Sequence, residues 1–310
     1  MKLIKPKIND TVGIICPAGA INRDDIRIVL LEERLTSLGF KIKYGNTIGK
    51  KCSYLGGSDE ERAADLMAMF MDEEVRIVIA MLGGYGCSRI VDKLDYNLIR
   101  ENSKLLIGFS DITVLLNSIN KITAVPTIHG PVGIYLSKPE YDDASLRDFT
   151  DGLFLNQKGR ILKNPNDDAI TLNPGEATGK LVGGNLSLIN NLIGTPYEID
   201  FSEKIVFIEE ANEKPYAIDR YLAALRLSGN LDKAKGFVLG YFTNCSSTDD
   251  NSWNVLDIII QYFSNINKPV IYNFASGHGL PFISLPIGLE VLLDATNKTI
   301  TILEEMYETD

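Results

Sequence analysis

Apolar and polar positions change period along the chain, and each change marks a different kind of element. Residues 12–16, Val-Gly-Ile-Ile-Cys, form a short apolar run closed by Pro-Ala-Gly, which predicts a buried strand and a turn. Between residues 24 and 38 the spacing becomes helical, with Ile28, Leu31, Leu35 and Leu38 on one face and Gly39 as a stop. Residues 40–44 alternate as a short strand. Ser58-Asp-Glu-Glu61 has the form of a capping box and opens a helix through Arg62, Leu66, Met67 and Phe70. Residues 75–80 and 105–107 are further apolar strands. After the second of these, Ile112, Leu115, Leu116 and Ile119 return to helical spacing.

This alternation over the first 135 or so residues predicts an α/β fold with a parallel sheet covered by helices on both faces. Between residues 137 and 174 the pattern weakens around Pro139, Pro165 and Asn166-Asp-Asp168. The expected organisation is a domain over 1–150, a linker over 151–174 and a second domain over 175–310, with an elaborate surface crossover as the alternative to the linker. The second half is more mixed. Strands are expected at 204–208, 236–239 and 270–274, and helices at 216–227 and 254–263. Residues 290–293 and 299–303 can pair as an antiparallel hairpin.

Composition narrows the classes of protein. The chain has 310 residues, 45% of them hydrophobic and 23% charged, as in an ordinary globular protein. No apolar run approaches the roughly 18 residues of a membrane span. The first residues, Met1-Lys-Leu-Ile-Lys-Pro-Lys7, make a poor signal peptide, so a cytoplasmic location is expected. A net charge of −10 opposes binding to nucleic acid or to a membrane surface. The four cysteines, at 16, 52, 87 and 245, are scattered and show no metal-ligand spacing, and neither of the two histidines lies near one of them. Free thiols are expected, and no structural zinc site.

Candidate chemistry lies beyond the strand ends, where ligands of open α/β sheets collect. Lys104-Leu-Leu-Ile-Gly-Phe-Ser-Asp111 reads as strand, hydroxyl, helix, the pattern of a nucleophile elbow at Ser110. Helix capping by Ser110 or Asp111 fits the same pattern. Gly83-Gly-Tyr-Gly86 follows the 75–80 strand and lacks both the P-loop closure and the dinucleotide fingerprint. It suits a tight connection, or half of an oxyanion hole with the Asp111 N–H as the other half. A serine nucleophile needs a base. His278 sits between glycines that let a loop aim it into a cleft, whereas His129 fits a structural or substrate-contacting role. Glu209 and Glu210 end an apolar strand, and since neighbours on a strand diverge, only one of them can reach the imidazole.

The ordered set of motifs resembles the serine L,D-carboxypeptidase family over nearly the whole chain. In the first half they are Val12-Gly-Ile-Ile-Cys-Pro17, Asp59-Glu-Glu-Arg-Ala-Ala-Asp65, Gly83-Gly-Tyr-Gly86, Ile107-Gly-Phe-Ser-Asp111 and His129-Gly-Pro131. In the second half they are Leu181-Val-Gly-Gly-Asn185, Gly194-Thr-Pro-Tyr197, Phe207-Ile-Glu-Glu210, Pro215-Tyr-Ala-Ile-Asp-Arg220, Gly277-His-Gly279 and Leu285-Pro-Ile-Gly288. The branch most similar is that of the muramoyltetrapeptide carboxypeptidases, and the microcin-immunity peptidases are related.

The resemblance implies a Rossmann-like N-terminal domain and a mixed, barrel-like C-terminal domain, with the site at their junction. It assigns the nucleophile to Ser110, the acid to Glu209, the base to His278 and the oxyanion-hole backbone to Gly84 and Asp111. Glu210 would then face solvent or make only a local cap. Tyr85, Arg89 and Arg220 are candidates for substrate contact. The implied reaction is release of a terminal D-amino acid, D-alanine from a murein tetrapeptide of peptidoglycan recycling, by a homodimer that needs no metal or organic cofactor. Phe109 stands where the family often has tyrosine, and Cys87-Ser88 is less usual after the glycine turn. Both departures bear on substrate preference. The competing functions are a microcin-immunity-like peptidase, a catalytically silent peptide-binding protein and, more remotely, a dehydrogenase.

Overall fold

A computed structural model of the chain describes residues 1–249 and 251–308. Among these, contacts separate two compact units. The first comprises Met1–Asn156, Ser284–Gly288 and the described residues from Met306 on. The second comprises Gln157–Ile283 and Leu289–Glu305.

In the first unit the elements run β1 (Thr11–Ile15), α1 (Ile26–Ser37), β2 (Lys41–Tyr44), α2 (Asp59–Met71), β3 (Val75–Ala80), α3 (Tyr96–Glu101), β4 (Leu105–Gly108), α4 (Thr113–Thr123), β5 (Thr127–His129), α5 (Gly133–Leu136) and α6 (Asp143–Phe154). The chain continues through the second unit as β6 (Ile161–Leu162), β7 (Ile170–Asn173), β8 (Glu176–Asn185), α7 (Leu186–Asn191), β9 (Lys204–Ala211), α8 (Pro215–Leu227), α9 (Asn230–Lys233), β10 (Gly236–Thr243), α10 (Val255–Phe263) and β11 (Val270–Tyr272). It returns to the first unit for β12 (Leu285–Ile287), then completes the second with β13 (Glu290–Asp294) and β14 (Thr299–Ile302).

The first sheet has the order β12-β5-β4-β3-β1-β2, parallel except for β12, which runs antiparallel to β5. Its central strands bury Val12, Ile14, Ile15, Ile77, Val78, Ile79, Leu106 and Ile107 completely. Each such side chain contributes roughly 1.5–3 kcal/mol of transfer free energy. Ser58 and Glu61 form the expected reciprocal cap on α2. Because β4, β3 and β1 are neighbours and parallel, the loops that follow them leave one edge of the sheet side by side.

The second sheet is mixed, in the order β6-β14-β13-β8-β9-β10-β11-β7, and curls toward a half-barrel. Its strands β8, β9, β10 and β11 are parallel. The hairpin expected near the end is present, with Asp294 opposite Thr299.

The stretch 151–174 holds the end of α6 and two strands, β6 and β7. Both strands are short, and Ile161 and Ile170 are exposed, so neither leaves a strong apolar signal. The ten-residue β8 escapes the sequence pattern because its outer half is mostly exposed and polar and its inner half is rich in glycine.

Candidate active site

Ser110 sits in a single turn of 3-10 helix, Ser110–Ile112, between β4 and α4. Its φ is +62°, a left-handed conformation that costs a side-chain-bearing residue of order 1–3 kcal/mol. The turn is tight because Gly108 has no side chain: a Cβ there would lie 2.8 Å from Ile112. This is the strand-to-helix elbow expected from the sequence. Strain of this kind is tolerated where the surrounding packing over-determines it, and Phe109, Asp111 and Ile112 are all buried.

The glycine loop after β3 lies against this turn. A Cβ on Gly83 would stand 3.1 Å from Ser110 Oγ and 3.6 Å from the Asp111 nitrogen. Any larger residue at 83 would crowd the hydroxyl. The Gly83 carbonyl accepts a hydrogen bond from the Gly19 N–H at 3.0 Å. In a planar trans peptide the following N–H points the opposite way, so the Gly84 N–H is directed away from Gly19. Gly84, at φ +107°, supplies the backbone freedom this needs. Asp111 ties the two segments together, since its Oδ2 accepts the Cys87 N–H at 2.8 Å. Burial raises the Asp111 carboxyl above its ordinary range. The Cys87 thiol is pushed well up by the same cause.

In the second unit, β9 delivers Glu209 and Glu210 to opposite sides. Glu209 is fully buried, and its Oε2 lies 2.7 Å from Nδ1 of His278, in the loop after β11. A carboxylate accepting at Nδ1 favours the tautomer protonated at Nδ1 and unprotonated at Nε2. Gly277 makes the approach possible: at φ +114°, a Cβ there would meet Glu209 Oε2 at 2.7 Å. The His278 side chain keeps 21% of its surface exposed.

Glu210 does not face solvent. Its carboxylate accepts from Asn185 Nδ2, the Ser187 N–H at the start of α7 and its neighbour's N–H at Ala211, all at 2.8–2.9 Å. The alternation read from the sequence is present. The side opposite Glu209 is also interior, and burial raises the Glu210 carboxyl.

The remaining candidates are placed as follows. His129 ends β5, fully buried, edge-on to the Phe109 ring at 5.8 Å. Tyr85 is exposed on the glycine loop, its ring 6.0 Å from that of Tyr54. Arg89 forks onto Asp59 with three contacts of 2.9–3.1 Å, and Arg220 lies over the rings of Tyr221 and Tyr216. Ser110, Gly84, Asp111, Tyr85 and Arg89 therefore belong to the first unit, and Glu209, His278 and Arg220 to the second. Arg62, which the sequence marks only as a position on the α2 stripe, is buried with its guanidinium on two loop carbonyls. Its signal was an arginine at positions i, i+4 and i+8 with Leu66 and Phe70, on the apolar stripe of α2.

A strained serine at a strand-to-helix elbow, and a buried carboxylate on an imidazole, are the parts of a serine hydrolase. Comparison with known proteins gives that class its family. Residues 12–130 match the LD-carboxypeptidase N-terminal domain and residues 178–293 the LD-carboxypeptidase C-terminal domain. A Bacillus subtilis protein described as a probable murein peptide carboxypeptidase is 37% identical over 96% of this chain and 94% of its own. The microcin C7 self-immunity protein MccF of Escherichia coli is 26% identical over 98% and 96%. Among solved structures, the muramoyltetrapeptide carboxypeptidase of Oxalobacter formigenes superposes with a TM-score of 0.85 at 27% identity, covering 96% of this chain and all of its own. An MccF variant bound to adenosine monophosphate shares the fold at a TM-score of 0.92 and 23% identity, over 99% and 100%. The chain belongs to the LD-carboxypeptidase family and is a serine-type carboxypeptidase. Among the described residues, no helix is long and apolar enough to cross a membrane.

Proposed function

We propose that the reaction is acyl transfer through Ser110, with His278 as general base and Glu209 as the group that orients it. The buried 2.7 Å contact between Glu209 and His278 carries this reading. Ser110 Oγ attacks the carbonyl before the terminal residue as His278 Nε2 takes the hydroxyl proton. The N–H groups of Gly84 and Asp111 hold the developing oxyanion, and His278 returns the proton to the departing amine. Water, deprotonated by the same imidazole, then releases the acyl group. Tyr85, Arg89 and Arg220 are carried as candidates for substrate contact.

Two substrates fit this chemistry. One is a murein tetrapeptide losing D-alanine during peptidoglycan recycling, supported by the description of the Bacillus subtilis relative. The other is an aminoacyl-nucleotide conjugate of the microcin type. This second reading has the ligand-bound relatives behind it, solved with adenosine monophosphate and aspartyl sulfamoyl adenosine, and is the better backed of the two. Incubation with each compound and mass analysis of the products separates them. D-Alanine release establishes the first and cleavage of the conjugate the second, whereas retention of either without cleavage overturns the enzyme mechanism. The family resemblance also supports a cytoplasmic homodimer, which sedimentation of the purified protein checks for assembly.

A further inference from the structure

Arg62 is an unusual residue to find completely buried, because an unpaired guanidinium in an apolar interior costs several kcal/mol. Its surroundings explain what compensates it. Nη1 donates to the carbonyls of Pro17, at 2.5 Å, and Gly86, at 2.9 Å. Nη2 donates to Asp59 Oδ1 at 2.5 Å. Pro17 belongs to the loop after β1 and Gly86 closes the glycine loop after β3. One planar cation thus joins the two loops that also meet through Gly19 and Gly83. Gly86, at φ +137°, is matched to this contact, since a Cβ there would lie 2.7 Å from Nη1. Asp59 is in turn gripped by Arg89, one residue beyond Ser88 on the same segment. Arg89 first and Arg62 second hold the Asp59 carboxyl below its ordinary range.

The glycine loop is therefore fixed at four points: Gly83 by Gly19, Gly86 by Arg62, Cys87 by the Asp111 side chain, and Arg89 by Asp59. We propose that Arg62 is a positioning residue for the reaction, holding the Gly83–Gly86 backbone so that the Gly84 N–H meets the acyl oxygen. This rests on the oxyanion role assigned to Gly84 above. Lysine cannot replace it, because a single ammonium lacks the flat fork that spans two carbonyls and a carboxylate together. A shift of about 1 Å in such a donor costs on the order of 100-fold in rate.

The test compares wild type, Arg62→Lys, Asp59→Asn and Arg89→Ala by steady-state kinetics on the cleaved substrate and by the rate of Ser110 labelling with a fluorophosphonate. In folded Arg62→Lys we expect kcat and the labelling rate to fall together by about 10- to 100-fold. KM should stay within about 2-fold, because ground-state binding is untouched. Asp59→Asn loosens the Arg62 guanidinium and also frees Arg89, so it is compared with Arg89→Ala, beyond which it should lose a further factor of about 3 to 10 in kcat. Wild-type kcat in folded Arg62→Lys or Asp59→Asn, or a loss confined to KM, overturns the proposal. If Arg62→Lys does not fold, the difference in kcat between Asp59→Asn and Arg89→Ala decides, and no difference overturns the proposal. Failure of the wild type to label at Ser110 would instead sink the mechanism on which the proposal stands, so the two failures are distinguishable.

Discussion

Ser110 holds its hydroxyl in a backbone conformation that glycine adopts without cost, so strain and the proposed nucleophile sit on one residue. Ser110→Ala should abolish acylation and leave the urea midpoint almost unchanged, because alanine is strained there too. Ser110→Gly should be equally inactive yet more stable by about 1 kcal/mol, as the left-handed turn relaxes. A glycine variant no more stable than the alanine variant would show that the turn stores no strain. The adjacent glutamates separate in the same way. Glu209→Gln removes the charge that favours imidazolium formation and should lower single-turnover acylation by at least about 100-fold. Glu210→Gln keeps the size of the side chain but sets an amide against N–H donors in a buried place. We expect it to lose about 1–3 kcal/mol of stability and little of the chemical step. The reverse order of acylation rates would transfer the orienting role to Glu210.

At the scale of elements, much was legible because the first unit is built from long apolar strands and capped helices. Residues 75–80 carry no polar side chain but Arg76, and Ser58 with Glu61 marks the start of α2 in four residues. What the sequence hid had physical reasons. In β6 and β7, exposed edges erase the apolar alternation, and in β8 glycines replace the side chains that would mark it. The pairing of Glu209 with His278 joins residues 69 apart, and no local pattern encodes such a contact. Nor does a local pattern tell that both faces of β9 are interior, which is why Glu210 looked like a surface group. Lys104, at the entrance to β4, shows how an element can carry a pH signature. Its Nζ donates to the carbonyls of Met69 and Asp72 at the end of α2, and burial lowers its pKa to about 8. The unfolded chain holds that proton up to about 10.4, so the unfolded state binds more protons between the two values. The contribution of Lys104 to stability should therefore rise as pH goes from 8 to 10. Urea midpoints of wild type and Lys104→Met should diverge in favour of wild type over that window. A constant difference would show that the ammonium is not desolvated.

For the whole molecule, the chain passes from one unit to the other at 156/157, 283/284, 288/289 and 305/306, so neither unit is a continuous segment. The fragment 1–156 lacks β12 and also Met306 and Tyr307, whose packing includes a hydrogen bond from Tyr307 to the Gly152 carbonyl. Expressed alone, it should elute as oligomers and bind a hydrophobic dye, whereas a cooperative, monomeric fragment would refute this dependence. The late arrival of β12 has a consequence for synthesis. When residue 156 leaves the ribosome, β5 still presents one row of unpaired amides where Leu285–Ile287 will bond. At the usual pace of translation, about 5–20 residues per second, that edge waits roughly 6 to 26 seconds for its partner. Throughout that interval the nascent sheet can capture a strand from a neighbouring polysome. Exposed strand edges on unfinished chains are among the surfaces that make chaperones necessary during synthesis.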